Sequence, residues 1–134
     1  MKAKMDVSVI IVNYNTLHVL LPCIESIIEQ THGISYEIIV VDNGSTDGSV
    51  EALQNDGRIR FMSAGSNLGF GKANNLGLTV ARGEYILFLN SDTILRNNAV
   101  GMMLDFARQY KGRLGALGSV LKDRQGERIH SYGK

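Results

Sequence analysis

A chain of 134 residues with 44% hydrophobic side chains suits one domain, residues 1–134, burying ~65 to 70% of its unfolded surface. Its 14 basic and 13 acidic residues leave a net charge of +1, which excludes the broad electropositive field that nucleic-acid binding requires, so any anion must be gripped locally. Cys23, the single cysteine, excludes an intramolecular disulfide and a thiolate zinc site.

Met1 to Asp6 is too short and polar for a signal peptide, and no run approaches the ~20 apolar residues of a membrane span. A reducing compartment is therefore expected. Val7 to Val12 is β-branched nearly throughout and ends in Asn13-Tyr14-Asn15-Thr16, which predicts a buried strand and a polar turn. Leu17, Leu20, Leu21, Ile24, Ile27 and Ile28 then repeat at three and four, the spacing of an amphipathic helix closing near Gly33. Thr16 stands where a cap belongs. Pro22 lacks the N–H of an established helix, so the regular helix is expected to start later than Thr16 or to bend there.

Glu37 to Val41 reads as a second buried strand, and Asp42-Asn43-Gly44-Ser45-Thr46-Asp47-Gly48 as a loop ending in helix-capping residues. A short helix over Ser49 to Asn55, a turn at Asp56-Gly57 and a weaker strand over Arg58 to Ser63 come next. Asn67-Leu68-Gly69-Phe70-Gly71 leads into a helix over Lys72 to Ala81, with Gly83 as its C-terminal glycine. Tyr85 to Leu89 is unbroken apolar or aromatic sequence and predicts a strand covered on both faces. It stops abruptly at Asn90-Ser91-Asp92-Thr93. Asn98 to Tyr110 places Val100, Met103, Leu104, Ala107 and Tyr110 on one helical face. Gly115 to Leu121 is a fifth strand candidate, and Lys122 to Arg128 a polar turn carrying the chain back at Ile129.

Strands alternating with helices predict parallel βαβ units with right-handed crossovers, an α/β fold. In the strand order three-two-one-four the crevice opens beside strand one, where the order reverses. Asn13-Tyr14-Asn15, Asp42-Asn43-Gly44-Ser45 and Asn90-Ser91-Asp92 would all face it. An aromatic for stacking on a base, a carboxylate for base or ribose and a second carboxylate near a metal together describe a nucleotide-diphosphate site.

Each residue has a plainer reading beside the functional one. Alone, Asp92 reads as a turn cap; beside the other two loops it reads as the ligand of a hard divalent cation, which needs one or two carboxylates plus phosphates. Asp42 is either a nucleotide contact or a cap of the next helix, and Asp47 reads as helix-terminal. Tyr14 is a stacking or a core aromatic, and Lys72 a phosphate contact or a solvated lysine. Asn74 and Asn75 are poor helix formers expected to bond nearby loop backbone. His18, His32 and His130 lack ligand spacing and read as surface or helix-end residues, and Cys23 as a packing residue.

The motifs Val9-Ile10-Ile11-Val12-Asn13-Tyr14-Asn15, Val41-Asp42-Asn43-Gly44-Ser45-Thr46-Asp47, Asn67-Leu68-Gly69-Phe70, and Gly83-Glu84-Tyr85 leading to Leu89-Asn90-Ser91-Asp92 follow one another over essentially the whole chain. Together they resemble the family 2 glycosyltransferases of the GT-A fold, in wording most similar to the branch containing bacterial rhamnosyltransferases and related cell-surface polysaccharide enzymes. The resemblance implies a Rossmann-like, mostly parallel sheet flanked by helices. It implies Tyr14 and Asp42 at the nucleotide base, with Asn43, Lys72, Asn90 and Ser91 completing the donor-nucleotide site. Asn90-Ser91-Asp92 stands in place of the Asp-x-Asp motif, with Asp92 as ligand of Mg²⁺ or Mn²⁺.

The implied partners are a nucleotide-diphosphate sugar donor and a glycan or lipid-linked acceptor, for a cytoplasmic protein, peripherally associated with the inner face of the membrane through regions this chain lacks. Asn90 replaces the first Asp of the motif, and Asn43 a frequent second Asp; an amide brings no charge, so a lower metal affinity or a different donor contact is expected. In the family an acceptor-binding half, with its acidic general base, follows the metal motif. The chain is thus expected to be a truncated, donor-binding portion with the base beyond Lys134, binding nucleotide weakly and transferring no sugar. The alternative is a non-catalytic nucleotide-sugar-binding or assembly module of the same fold. A phospho-accepting receiver would want an acidic pair where Asn13-Tyr14-Asn15 stands, and a nicotinamide-binding oxidoreductase a GxGxxG turn after the first strand; the chain has neither.

Overall fold

The computed structural model describes residues 5–110, 121–122 and 128–129. Its elements are β1 (Met5–Asn13), α1 (Leu17–Gln30), β2 (Tyr36–Asp42), α2 (Ser49–Leu53), β3 (Arg60–Ser63), α3 (Phe70–Leu78), β4 (Gly83–Asn90) and α4 (Ala99–Gln109), followed by β5 (Leu121–Lys122) and β6 (Arg128–Ile129). The first four strands form one parallel sheet in the order β3-β2-β1-β4, the order on which the crevice beside strand one depends. Right-handed twist and helical crossovers favour this arrangement for β-branched strands joined by amphipathic helices. β5 and β6 pair antiparallel, Leu121 opposite Ile129. The remainder of the expected strand over Gly115 to Leu121, the turn between 122 and 128, and His130 lie outside the described residues.

Alternation along the strands divides the core in two. Val7, Val9 and Ile11 of β1 and Ile38 and Val40 of β2 face α1, α2 and α4, where Leu20, Ile24, Ile27, Leu53, Val100 and Leu104 close over them. Ile10, Ile39 and Val41 point the other way, against Ala73 of α3. The result is a three-layer stack with α3 alone on its second face, lying over β1 and β2.

That asymmetry corrects the expectation of a strand covered on both faces. β4 is the sheet edge, and Glu84, Phe88 and Asn90 on one of its faces are exposed, Phe88 at 48%. Among the described residues no element lies over it as α3 lies over β1 and β2. Nor is Gly83 a helix C-terminal glycine: α3 ends at Leu78, where Thr79 Oγ1 donates to the Leu76 carbonyl, and Gly83 is the first residue of β4. Glycine is required there for close approach, since a Cβ would stand 2.3 Å from the Ser8 backbone nitrogen.

The base of β4 is tied down by a buried polar cluster. Ser8 Oγ accepts from Gly83 N and donates to Glu37, which also accepts from the backbone and guanidinium of Arg82. Burial pushes the Glu37 carboxyl up, but the bonds from Ser8 and Arg82 outweigh it and hold the group below the ordinary carboxylate range.

α1 runs through Pro22 from Leu17, so the later start is not observed. α3 starts two residues before Lys72 and stops short of Ala81. Asn74 is buried and Asn75 exposed, and among the described residues neither bonds a loop backbone. No described helix is long and apolar enough to cross a membrane.

Candidate functional site

Register carries the polar strand ends to one place. Asn13 of β1 pairs with Asp42 of β2, and Val12 with Asn90 of β4, so the three loops leave the sheet side by side at its carboxyl edge. Between them lies an open cleft of about 700 Å³. Tyr14 and Asn43 line it together with Asn90, Ser91 and Asp92.

The β1 and β2 loops are laced together. Asp42 is fully buried; its Oδ1 accepts from Asn13 Nδ2 at 2.9 Å and its Oδ2 from Ser45 N at 2.9 Å. Asn15 N donates to Ser45 Oγ, and Thr46 N to Asn15 Oδ1. Asp42 therefore lies beneath the loops, not on the cleft wall, and its carboxylate organises backbone. Asp47 is helix-terminal, as expected, and serves two helices: it accepts from Leu17 N at 3.0 Å, meeting an orphan donor of α1, and from both Ser49 N and Ser49 Oγ at the start of α2. The Ser49 hydroxyl first, then the Leu17 N–H, holds the Asp47 carboxyl below its usual range. Thr16 occupies the N-cap position without capping; its Oγ1 donates to Asn13 Oδ1 at 2.6 Å and lies 3.1 Å from Ser91 Oγ, whose hydroxyl can donate to it.

The far wall is looser. Asn90 and Asp92 are exposed, and the turn is closed by Thr93 N donating to the Asn90 carbonyl at 3.1 Å. Behind it Cys23 is fully buried with Sγ 3.8 Å from the Asn90 carbonyl, and burial pushes its thiol up to about 12. At that value it is a packing residue and no nucleophile.

Among the described residues, Asp92 is the one carboxylate on the cleft wall, and no Lys or Arg lines it. Among the described residues no three His, Cys, Asp or Glu side chains gather to hold a metal. An exposed carboxylate with an amide and a hydroxyl beside it does not make an all-protein cage. It does fit a hard ion that draws its other ligands from phosphate and water. Lys72, on α3, is exposed and is not part of the wall.

Three wall residues carried no assigned role in the sequence: His18 on the first turn of α1, and Asn67 and Phe70 at the approach to α3. Asn67 and Phe70 lie in the Asn-Leu-Gly-Phe motif, which was their signal. His18 had none, because an exposed helix residue at a cleft reads the same as one facing bulk water.

Known proteins resemble the chain in both sequence and shape. The sequence profile described as Glycosyl transferase family 2 matches residues 8–129. Glycosyltransferase GlyG of Streptococcus pneumoniae is 40% identical over 98 residues, covering 70% of this chain and 32% of the relative. Chondroitin synthase of Escherichia coli is 38% identical over 107 residues, 77% of this chain and 15% of that one. Among solved structures, S. aureus TarS 1-349 in complex with UDP-GlcNAc superposes with a TM-score of 0.69 at 27% identity, covering 89% of this chain and 39% of that chain. The chain thus spans well under half the length of each of these relatives.

Proposed function

Because the chain belongs to glycosyl transferase family 2 and has the GT-A fold, we propose that it forms the donor-binding portion of a metal-dependent inverting glycosyltransferase. The observation that carries this reading is the convergence of Tyr14 and the Asn90-Ser91-Asp92 turn on one cleft, at the strand ends where α/β sheets bind nucleotides. The donor is a nucleotide-diphosphate sugar and the acceptor a glycan or lipid-linked hydroxyl. The wording of the Asn67-Leu68-Gly69-Phe70 and Leu89-Asn90-Ser91-Asp92 motifs supports a place beside rhamnosyltransferases and other cell-surface polysaccharide enzymes, at the cytoplasmic face of the membrane.

In this reading Tyr14 lies against the base, and the Asp42-braced loop keeps it there, so that the anomeric carbon is presented at a fixed position. Asp92, with Asn90 and Ser91, would hold Mg²⁺ or Mn²⁺ at the diphosphate. A divalent ion there would supply Lewis-acid stabilisation of the leaving charge. The acceptor hydroxyl attacks from the face opposite the diphosphate, and the base that takes its proton is proposed to lie in sequence beyond Lys134.

Thermal unfolding against a panel of nucleotide sugars, with and without Mn²⁺, tests the reading without an acceptor. Ligand at 100 times its Kd stabilises the native state by about 2.7 kcal/mol, a rise of several degrees in Tm. The rise should come with a nucleoside-diphosphate sugar and grow with Mn²⁺. No rise with any donor would defeat the proposal.

A further inference from the structure

Phe70 opens α3 with 58% of its surface in water, yet it is part of the cleft wall. The approach to it is tightly specified. Leu68 N donates to Asn43 Oδ1 at 2.8 Å, Asn43 Nδ2 donates to Asn67 Oδ1 at 3.0 Å, and Gly69 N donates to the same Asn67 oxygen at 2.9 Å. Gly69 itself has φ 85 and ψ 162, a combination essentially restricted to glycine. Nothing lies within 4 Å of the place its Cβ would take, so the backbone angle, not crowding, demands glycine.

Asn43 is 3% exposed, and both ends of its amide are turned to this loop. The amide thus makes two structural bonds to this loop from a residue that also lines the cleft. An Asp at this position would keep the acceptor for Leu68 N but set a second acceptor against Asn67 Oδ1.

We propose that Phe70 stacks on the nucleobase of the donor, and that Asn43 is a positioning residue that acts through the Asn67–Gly69 turn to set Phe70 in the cleft. This rests on the nucleotide-sugar reading of the site. The topology says which part of the donor Phe70 meets. α3 lies over β1 and β2, whereas Asp92 follows β4 on the other side of β1. A ligand with its diphosphate at Asp92 that spans the cleft brings its base to the β2 side. Every base offers a flat face to an aromatic ring, so the contact tolerates different bases.

Calorimetric titration with uridine diphosphate and with inorganic pyrophosphate, alongside the other common nucleoside diphosphates, tests the pair. Phe70→Ala should weaken nucleoside-diphosphate binding roughly tenfold or more and leave pyrophosphate binding within about twofold, while Phe70→Tyr retains affinity. Asn43→Ala should weaken nucleoside-diphosphate binding too, but add little in the double variant, because it acts through Phe70. Unchanged affinity in Phe70→Ala would overturn the stacking role, and losses that add in full would overturn the positioning role. Hydrogen exchange on the milder Asn43→Asp variant gives a readout without ligand: the Gly69 amide, bonded to Asn67 Oδ1, should exchange faster while the Leu68 amide keeps its acceptor, and an unchanged Gly69 rate would also overturn the positioning role. A wild-type chain that binds no nucleoside diphosphate would defeat the functional reading itself, and this proposal with it.

Discussion

The two walls of the cleft are built in opposite ways. On the β1–β2 side, Asp42, Ser45 and Asn15 cross-link neighbouring loops through buried or half-buried hydrogen bonds, and Asp47 adds an exposed one to Leu17 N. At the end of β4, Asn90 and Asp92 stand exposed, and a single hydroxyl contact from Thr16 to Ser91 joins that turn to the β1 loop. β4 is anchored instead at its base, by Ser8, Glu37 and Arg82. In the function proposed above, the nucleoside side is prebuilt, and the phosphate side is left for ligand and ion to complete. Preorganising one wall reduces the entropy cost of binding, while an exposed carboxylate keeps its coordination positions open.

The sharpest way to break the contrast is at Asp42. Asp42→Ala removes the acceptor of the part-buried Ser45 N–H and leaves Asn13 Nδ2 only its longer 3.3 Å bond to Ser45 Oγ, and a buried donor left unsatisfied costs about 1–3 kcal/mol. Urea unfolding should show a loss of about 2–3 kcal/mol. A loss under about 0.5 kcal/mol would mean the β1–β2 wall is not held by this carboxylate.

Next in size is Glu37→Gln, which leaves the cleft untouched and tests the anchor of β4. At neutral pH a loss of about 1–2 kcal/mol is expected, for charge-assisted bonds from Ser8 and Arg82 reduced to neutral ones. The folded carboxyl lies below its unfolded value. Its contribution is therefore complete above the unfolded pKa and disappears as pH falls through the folded one. The gap between wild type and variant in urea melts should be full above the unfolded carboxylate value, about 4.3, and narrow as pH falls below it toward the folded one. A gap independent of pH would assign the effect to packing.

The strong wall was legible in the sequence as a motif but not as a device. β-branched runs ending in polar turns marked the strands, because period and composition dictate which segments are buried; the crevice followed only once the order three-two-one-four was assumed. An acid after a strand looks the same whether it points into a cleft or sideways at its neighbour, and only the register of Asn13 beside Asp42 separates the two for Asp42. Gly83 failed for a similar reason: a glycine demanded by close approach to Ser8 has the same sequence setting as one ending a helix. The apolar run of β4 marked a sheet strand, but no single strand encodes which helix will cover it. Ile10 and Val41 received α3, and Phe88 did not.

Asp92→Ala should have the smallest effect on the fold and so sharpens the contrast most. The side chain is exposed at the end of an edge strand, and such surface substitutions usually stay within about ±0.5 kcal/mol. Donor binding should respond differently. With Asp92 the one carboxylate on the wall among the described residues, the variant should keep the metal-free affinity for uridine diphosphate and lose the increment that Mn²⁺ adds. Titrations of wild type and variant, each with and without Mn²⁺, isolate that increment from any change in the nucleoside wall. An increment of equal size in both proteins would remove Asp92 from the ion's ligands, whereas loss of metal-free affinity would show that the two walls are coupled through the Thr16 contact to Ser91.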